Sequence, residues 1–234
     1  MSVAANNSEA VQDYAKAIYS LEARLREPVP ISAIAARLGV SAASASAMVK
    51  RLSEQGLVKH VRYRGVELTP KGRELALEVL RHHRLLELYL AVHLDVPWDR
   101  VHEEAEALEH AISEDLEARI AAKLDNPTHD PHGDPIPSAE LVIDDADTLS
   151  LDSLEPGASG LFVRVSDSQP EMLRYLRQRG IAIGDHCEVI ERQPFDGPLT
   201  VRFGDALHVL GGGLAAAMRV EAGCAPAEPT LGER

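Results

Sequence analysis

The stretch VHEEAEALEHAISED carries four side chains able to ligate a metal ion. His102, Glu106, Glu109 and His110 stand at i, i+4, i+7 and i+8, which on a helix places them within an arc of about 100°. His83 and Glu87, an i, i+4 pair in RHHRLLELYL, also face one way. Any one of these residues alone fits a solvated acidic helix; the six together favour a divalent cation. HEEAE is not the zinc-protease signature H-E-x-x-H, because Glu106 holds the second histidine position.

Charge is unevenly spread along the chain that positions these groups. The formal net charge of −13 argues, as a sum, against a polyanionic partner. Yet Ser41 to Arg73 holds seven basic side chains against two acids, whereas Asp99 to Glu117 holds eight acids against Arg100. A basic module precedes an acidic, histidine-bearing one. Within the basic module, ISAIAARLG and SAASASAMVKRLSEQG read as two short helices joined near Gly39-Val40, with Ser41 as N-cap and Gly56 as stop. A strand pair with a basic turn at Arg62-Tyr63-Arg64-Gly65 follows, giving a helix-turn-helix with a wing. The second helix exposes small residues (Ser41, Ala43, Ser44, Ser46 and Ala47, with Ala42), buries Met48, Val49 and Leu52, and offers Lys50 and Arg51 to phosphates, as the wing does Arg62 and Arg64. Few long side chains face the bases, so contact with thymine methyls and DNA shape would carry specificity.

The reading predicts a mainly α chain with a small β domain. Residues 1–75 form the winged helix-turn-helix, opened by a helix over 8–26, and 76–140 a helical metal-binding and dimerisation domain with helices from Thr69 to about His93 and over 99–123. Residues 141–156 read as an acidic linker, 157–222 as a small β-barrel-like domain with one helix, PEMLRYLRQRG, and 223–234 as a flexible tail. No run reaches the roughly 20 apolar residues of a membrane span and no signal peptide is evident, so a cytoplasmic protein with no membrane partner is expected. Cys187 and Cys224 lack C-x-x-C spacing, which disfavours a disulfide framework; Cys187 reads as a core residue. No G-x-S-x-G elbow and no glycine-rich phosphate loop is present.

The order of these pieces resembles the diphtheria-toxin-repressor family of iron- and manganese-dependent transcriptional regulators. The matching stretches are DYAKAIYSLE, the helix-turn-helix, YRGVELTPKGRELA, RHHRLLELYL, VHEEAEALEHAISED, PHGDPIP and the C-terminal domain, which resembles an SH3-like barrel. The resemblance implies a repressor that binds double-stranded operator DNA as a homodimer when metal is present. It implies that Asp13 joins Glu106, Glu109 and His110 in the primary metal site. His83, Glu87 and His102 would form an ancillary site, completed by Asp167 and Gln169 or by the loop residues Asp130 and His132. Iron-responsive members carry Met and Cys where this chain has Asp13 and Glu106, so the sulfur-free donor set points to Mn2+, with Fe2+ as the alternative and Zn2+, Co2+ or Cd2+ able to substitute in vitro. Lys16 stands where some manganese members have a carboxylate, which implies one ion at this site rather than a close pair. Without metal, Asp13, Glu106 and Glu109 are expected to repel one another and loosen the joint. Leu85, Leu86, Leu88, Leu90, Val92, Leu108 and Ile112 are candidates for the dimer surface or the core. The rival readings are an iron-sensing repressor, a carboxylate-histidine metallohydrolase, and a winged-helix regulator of a small molecule without metal.

Overall fold

The computed structural model describes residues 4, 7–144, 146–195 and 197–223. The chain divides into two compact units. The first comprises 1–95, 103–128 and 136–143, and the second 96–102, 129–135 and 144–234. The expected tail at 223–234, with Cys224, lies outside the described residues apart from Gly223.

The first unit opens with α1 (Glu9–Leu25), whose face of Val11, Tyr14, Ala15, Ile18 and Leu21 is buried. Then come α2 (Ile31–Arg37) and α3 (Ala42–Glu54), bent by 110° at the Gly39-Val40 turn. Gly39 has φ +65°, the left-handed conformation that ends a helix cheaply for glycine. The Ser41 side chain accepts from the Ser44 amide at 3.1 Å, capping α3. Ala45, Val49 and Leu52 are the residues α3 buries; Met48 is only partly covered. Sequence periodicity had Met48 in Ala45's place, one turn along the same stripe. β1 (Val58–Val61) and β2 (Gly65–Leu68) pair antiparallel and form the wing.

The wing is fastened at its base. Val29 and Val66 exchange two backbone hydrogen bonds, at 2.8 and 3.0 Å. Gly65 has φ +126°, and a Cβ there would lie 2.1 Å from the Val29 carbonyl oxygen. Backbone cannot yield as a side-chain tip can. Gly65→Ala is therefore expected to destabilise the first unit by about 1–3 kcal/mol. Urea unfolding checks this, and an unchanged midpoint would contradict it.

α4 (Pro70–Leu94) starts at Thr69, whose hydroxyl caps the Gly72 amide at 3.1 Å. The expected single helix over 99–123 is instead two, α5 (Val101–Leu108) and α6 (Glu114–Lys123). Ser113 is the physical reason. Its hydroxyl accepts from the Leu116 amide, and Glu114, Asp115 and Glu117 occupy the first turn of α6, where carboxylates suit the helix dipole. Glu109 and His110 thus lie in the turn just beyond α5. Leu85, Leu86, Ala105, Ile120, Ala121 and Ile136 form a second core, against which Leu88 and Ile112 pack. Val92 and Leu108, also considered for the dimer surface, stay exposed at 56% and 41%.

The second unit is an antiparallel six-stranded sheet in the order β3-β8-β4-β5-β6-β7, made of β3 (Leu149–Ser150), β4 (Ser159–Val165), β5 (His186–Arg192), β6 (Leu199–Phe203), β7 (Ala206–Leu210) and β8 (Met218–Ala222). Two helices, α7 (Pro170–Gln178) and α8 (Gly212–Ala217), accompany it. The β domain of the sequence reading is present, but it starts earlier than expected. Residues read as linker supply β3 and a 3-10 turn, and Leu151 and Leu154 are buried in the domain core. Asp152 and Ser153 between these leucines, and the acids before them, concealed their common burial. Cys187 is buried in the same core, and burial pushes its thiol pKa up to about 11, so it is a packing residue with little thiolate character.

Candidate metal centre and nucleic-acid interface

Asp13 stands one turn before Lys16 on α1, and both point at the end of α5. Asp13 Oδ1 lies 2.9 Å from His110 Nε2, and His110 Nε2 lies 3.5 Å from Glu109 Oε1. The other ring nitrogen, His110 Nδ1, donates to Gln12 Oε1 at 2.7 Å, which fixes the ring orientation and leaves Nε2 facing the carboxylates. Gln12 is itself buried and donates to the Ala4 carbonyl at 2.9 Å. Asp13, Glu109 and His110 each offer a ligand atom within 4.8 Å of the others, as do His83, Glu106 and Glu109. The two triads share Glu109, whose side chain is fully buried. Each triad offers carboxylate and imidazole donors that fit a divalent cation chemically, and Glu106 falls in the second triad, not with Asp13 and His110.

Each carboxylate of the cluster has a nitrogen-bearing neighbour. Lys16 Nζ sits 2.6 Å from Glu106 Oε1 and 2.6 Å from Glu109 Oε1. His83 Nδ1 lies 2.5 Å from Glu109 Oε2, and His83 Nε2 lies 3.0 Å from Glu87 Oε1. Burial disfavours the charged Lys16, but Glu109 and Glu106 outweigh it and raise its pKa. The same contest, with Glu109 and Glu87 prevailing over burial, raises that of His83. The Asp13 hydrogen bond raises that of His110. Lys16, His83 and His110 thus each face the acidic cluster with a nitrogen that the carboxylates hold. Sequence reasoning missed Gln12 entirely and read Lys16 only as a repelling charge. No sequence signal places the Lys16 ammonium between two glutamates; that is a tertiary fact.

His83 and Glu87 were expected to serve a separate ancillary site, yet His83 also bonds Glu109. In the second unit His102 Nδ1 lies 3.0 Å from Asp167 Oδ2. Gln169 is exposed at the N-cap position of α7. Asp130 accepts from the His132 and Asp134 amides at 2.8 and 3.0 Å, shaping the PHGDPIP loop. His132 Nε2 donates to the Trp98 carbonyl at 2.7 Å, and its ring stacks on Trp98.

The nucleic-acid candidates all lie on the surface. Ser41, Ala43, Ser44, Ser46, Ala47, Lys50 and Arg51 are exposed on α3, and Arg62 and Arg64 are exposed on the wing. Tyr63, unremarked in the sequence, is 90% exposed at the wing tip, with the Arg62 guanidinium 4.7 Å over its ring.

Comparison with known proteins adds an independent observation. The profile described as "Iron dependent repressor, N-terminal DNA binding domain" matches residues 7–66. "Iron dependent repressor, metal binding and dimerisation domain" matches 69–138, and "FeoA domain" matches 149–222. The diphtheria toxin repressor of Corynebacterium efficiens is 34% identical over 221 residues, covering 89% of this chain and 93% of that protein. The chain belongs to the diphtheria toxin repressor family. The resemblance read from its motifs thus holds, as does the expected fold of winged helix-turn-helix, helical domain and SH3-like domain. Another relative in this family, the iron-dependent repressor IdeR of Mycobacterium tuberculosis, is 41% identical over 152 residues, 62% of this chain and 66% of that protein, just under two thirds of its length. A solved structure described as a manganese-dependent transcriptional repressor in complex with manganese is 41% identical. It covers 91% of this chain and 99% of its own, with a TM-score of 0.86. A solved structure of the repressor ScaR with bound Cd2+ is 28% identical, covers 90% and 98%, and has a TM-score of 0.78.

Proposed function

We propose that this family member is a Mn2+-responsive repressor that binds operator DNA as a homodimer, with Asp13, Glu106, Glu109 and His110 as the metal ligands that govern binding. The observation that carries the reading is the meeting of α1 with the end of α5. Asp13 and His110 touch at 2.9 Å although they lie far apart in the sequence. A divalent ion bound there supplies one centre of positive charge common to both segments. Asp13 belongs to the helix that packs under the reading head, and α4 and α5 belong to the proposed dimer scaffold. Fixing one against the other presets the spacing of two recognition helices, which B-DNA requires to be about 34 Å or a multiple. On the family resemblance, His83, Glu87 and His102 are proposed for a second ion, with Asp167, Gln169, Asp130 and His132 as further candidates. The proposed boundaries remain 1–75 and 76–140 for the first two domains. A cytoplasmic location is part of this proposal; among the described residues no single helix is long and apolar enough to cross a membrane.

Manganese is favoured by three carboxylates and one imidazole without sulfur, and by the 41% identity to a manganese-dependent repressor. Fe2+ is the second reading, because the mycobacterial relative of equal identity is named iron-dependent. Anaerobic DNA-shift titration against an operator selected from random duplexes separates them. Mn2+ is expected to activate at lower free concentration than Fe2+. Equal activation removes the manganese preference, and binding unaffected by chelation removes the metal switch. A metallohydrolase reading, by contrast, requires turnover that Glu106→Ala abolishes.

The basic residues of the wing are expected to contribute affinity rather than sequence preference. Arg62→Ala should weaken selected and random duplexes about equally and reduce the log–log salt slope by about 1. A loss confined to the selected duplex would instead make Arg62 a base reader.

A further inference from the structure

Lys16 bridges two of the carboxylates proposed as metal ligands. Its Nζ is within 2.6 Å of both Glu106 and Glu109, and its side chain is only 14% exposed. It stands three residues after Asp13, so both groups leave α1 on one side. Like the proposed ion, it joins α1 to α5. An ammonium has three donors and no geometric demand beyond hydrogen bonding, so two carboxylates of a metal site satisfy it well. A divalent ion sharing those oxygens would meet a fixed positive charge within a few ångströms, and both cannot hold the pair.

We propose that Lys16 is a tethered cation that holds the Glu106–Glu109 pair in the metal-free protein, must be expelled for metal to bind, and thereby sets the free-metal threshold of the switch. The proposal rests on the metal-centre reading above. Expulsion is open to a long side chain on a flexible stem near the surface, whose ammonium can swing to water. The metal-free state is then a clasped resting form whose clasp is weaker than the metal's. A threshold follows, because metal affinity reports ligation minus the loss of the lysine bridge.

The test compares wild type, Lys16→Met and Asp13→Ala as full-length proteins. Mn2+ affinity is measured by calorimetry, and thermal unfolding is followed with EDTA and with saturating Mn2+. Lys16→Met keeps the stem without the charge. It is expected to bind Mn2+ about 10- to 100-fold more tightly, a change of the size that groups around a metal's ligands produce. It should unfold at lower temperature than wild type in EDTA, yet at equal or higher temperature in Mn2+. Lys16→Gln should give the same order. A merely structural lysine would lower both transitions and leave affinity unchanged or weaker, and that result overturns the proposal. If wild type and Asp13→Ala bind Mn2+ alike, the metal-centre reading fails and the lysine proposal falls with it. If Asp13→Ala binds Mn2+ more weakly than wild type while Lys16→Met binds no more tightly than wild type, the centre stands and only the proposal fails.

Discussion

Asp13→Ala should abolish metal control of operator binding while leaving the basal, salt-sensitive affinity in place. For wild type, metal is expected to tighten operator binding by about 5- to 150-fold, the usual range of coupling between two sites. The substitution removes the ligand proposed on α1 and leaves the proposed ligands Glu106, Glu109 and His110 untouched. Those three can still hold an ion, but the ion no longer reaches the helix beneath the reading head. Some Mn2+ binding should therefore persist while its effect on DNA disappears. Linkage gives a second measure: operator DNA should tighten metal binding to wild type by the same factor, and not to the variant. A variant that keeps the full metal response would show that Asp13 is no part of the clasp. His110→Ala offers a contrast, since it removes a ligand from the α5 side and should weaken ion binding itself.

The largest effect on stability is expected away from the metal. Arg81 and Glu117 are both buried and meet at 2.6 Å, and Arg81 Nη1 also donates to the Pro137 carbonyl at 2.6 Å. These bonds tie α4 to α6 and to the segment after Ile136. Truncating one partner leaves the other charge buried and uncompensated, which costs about 3–5 kcal/mol. Glu117→Ala in chelated protein should thus lower the melting temperature by roughly 10 °C, at about 2–4 °C per kcal/mol for a chain of this size. The double replacement Arg81→Met with Glu117→Leu should recover much of the loss, because the desolvation penalty is then removed from both sides. A single variant that melts like wild type would mean that the pair is solvated in practice.

The same pair has a pH signature. Burial opposes ionisation of Glu117, but its bonds to His82 and Arg81 prevail and hold its pKa below the ordinary glutamate value. Its contribution is present above the unfolded value and lost as pH falls through the lower folded value. His82 runs the other way. Burial pushes its pKa down, Glu117 outweighs it, and the net shift is upward. Its contribution is present below the unfolded histidine value and lost as pH rises through the raised one. Acid melting curves of Glu117→Gln should lack the first limb.

The reading head was legible because its signals are local. Ser41 as cap, Gly39 in the turn and the exposed serines and alanines of α3 follow from spacing and side-chain chemistry alone. The break between α5 and α6 was missed because Ala111 and Ile112 continue a helical pattern; the cap at Ser113 followed by three acids was the available signal. The early start of the β domain was missed because Leu149, Leu151 and Leu154 sit among acids and serines. At the candidate site, the spacing of His102, Glu106, Glu109 and His110 marked the segment, but Asp13 entered only through family resemblance. Nothing local to α1 says that its third turn will face the end of α5. The roles of Gln12 and Lys16 depend on that same long-range meeting, so they became readable only with coordinates.

Glu109 has one further consequence. Its two oxygens serve different neighbours, Oε1 toward Lys16 and His110 and Oε2 toward His83. Whatever changes the charge on one side of this carboxylate changes its hold on the other. His83 continues to Glu87, so a perturbation at Asp13 has a path through His110, Glu109 and His83 to the buried Glu87 carboxylate.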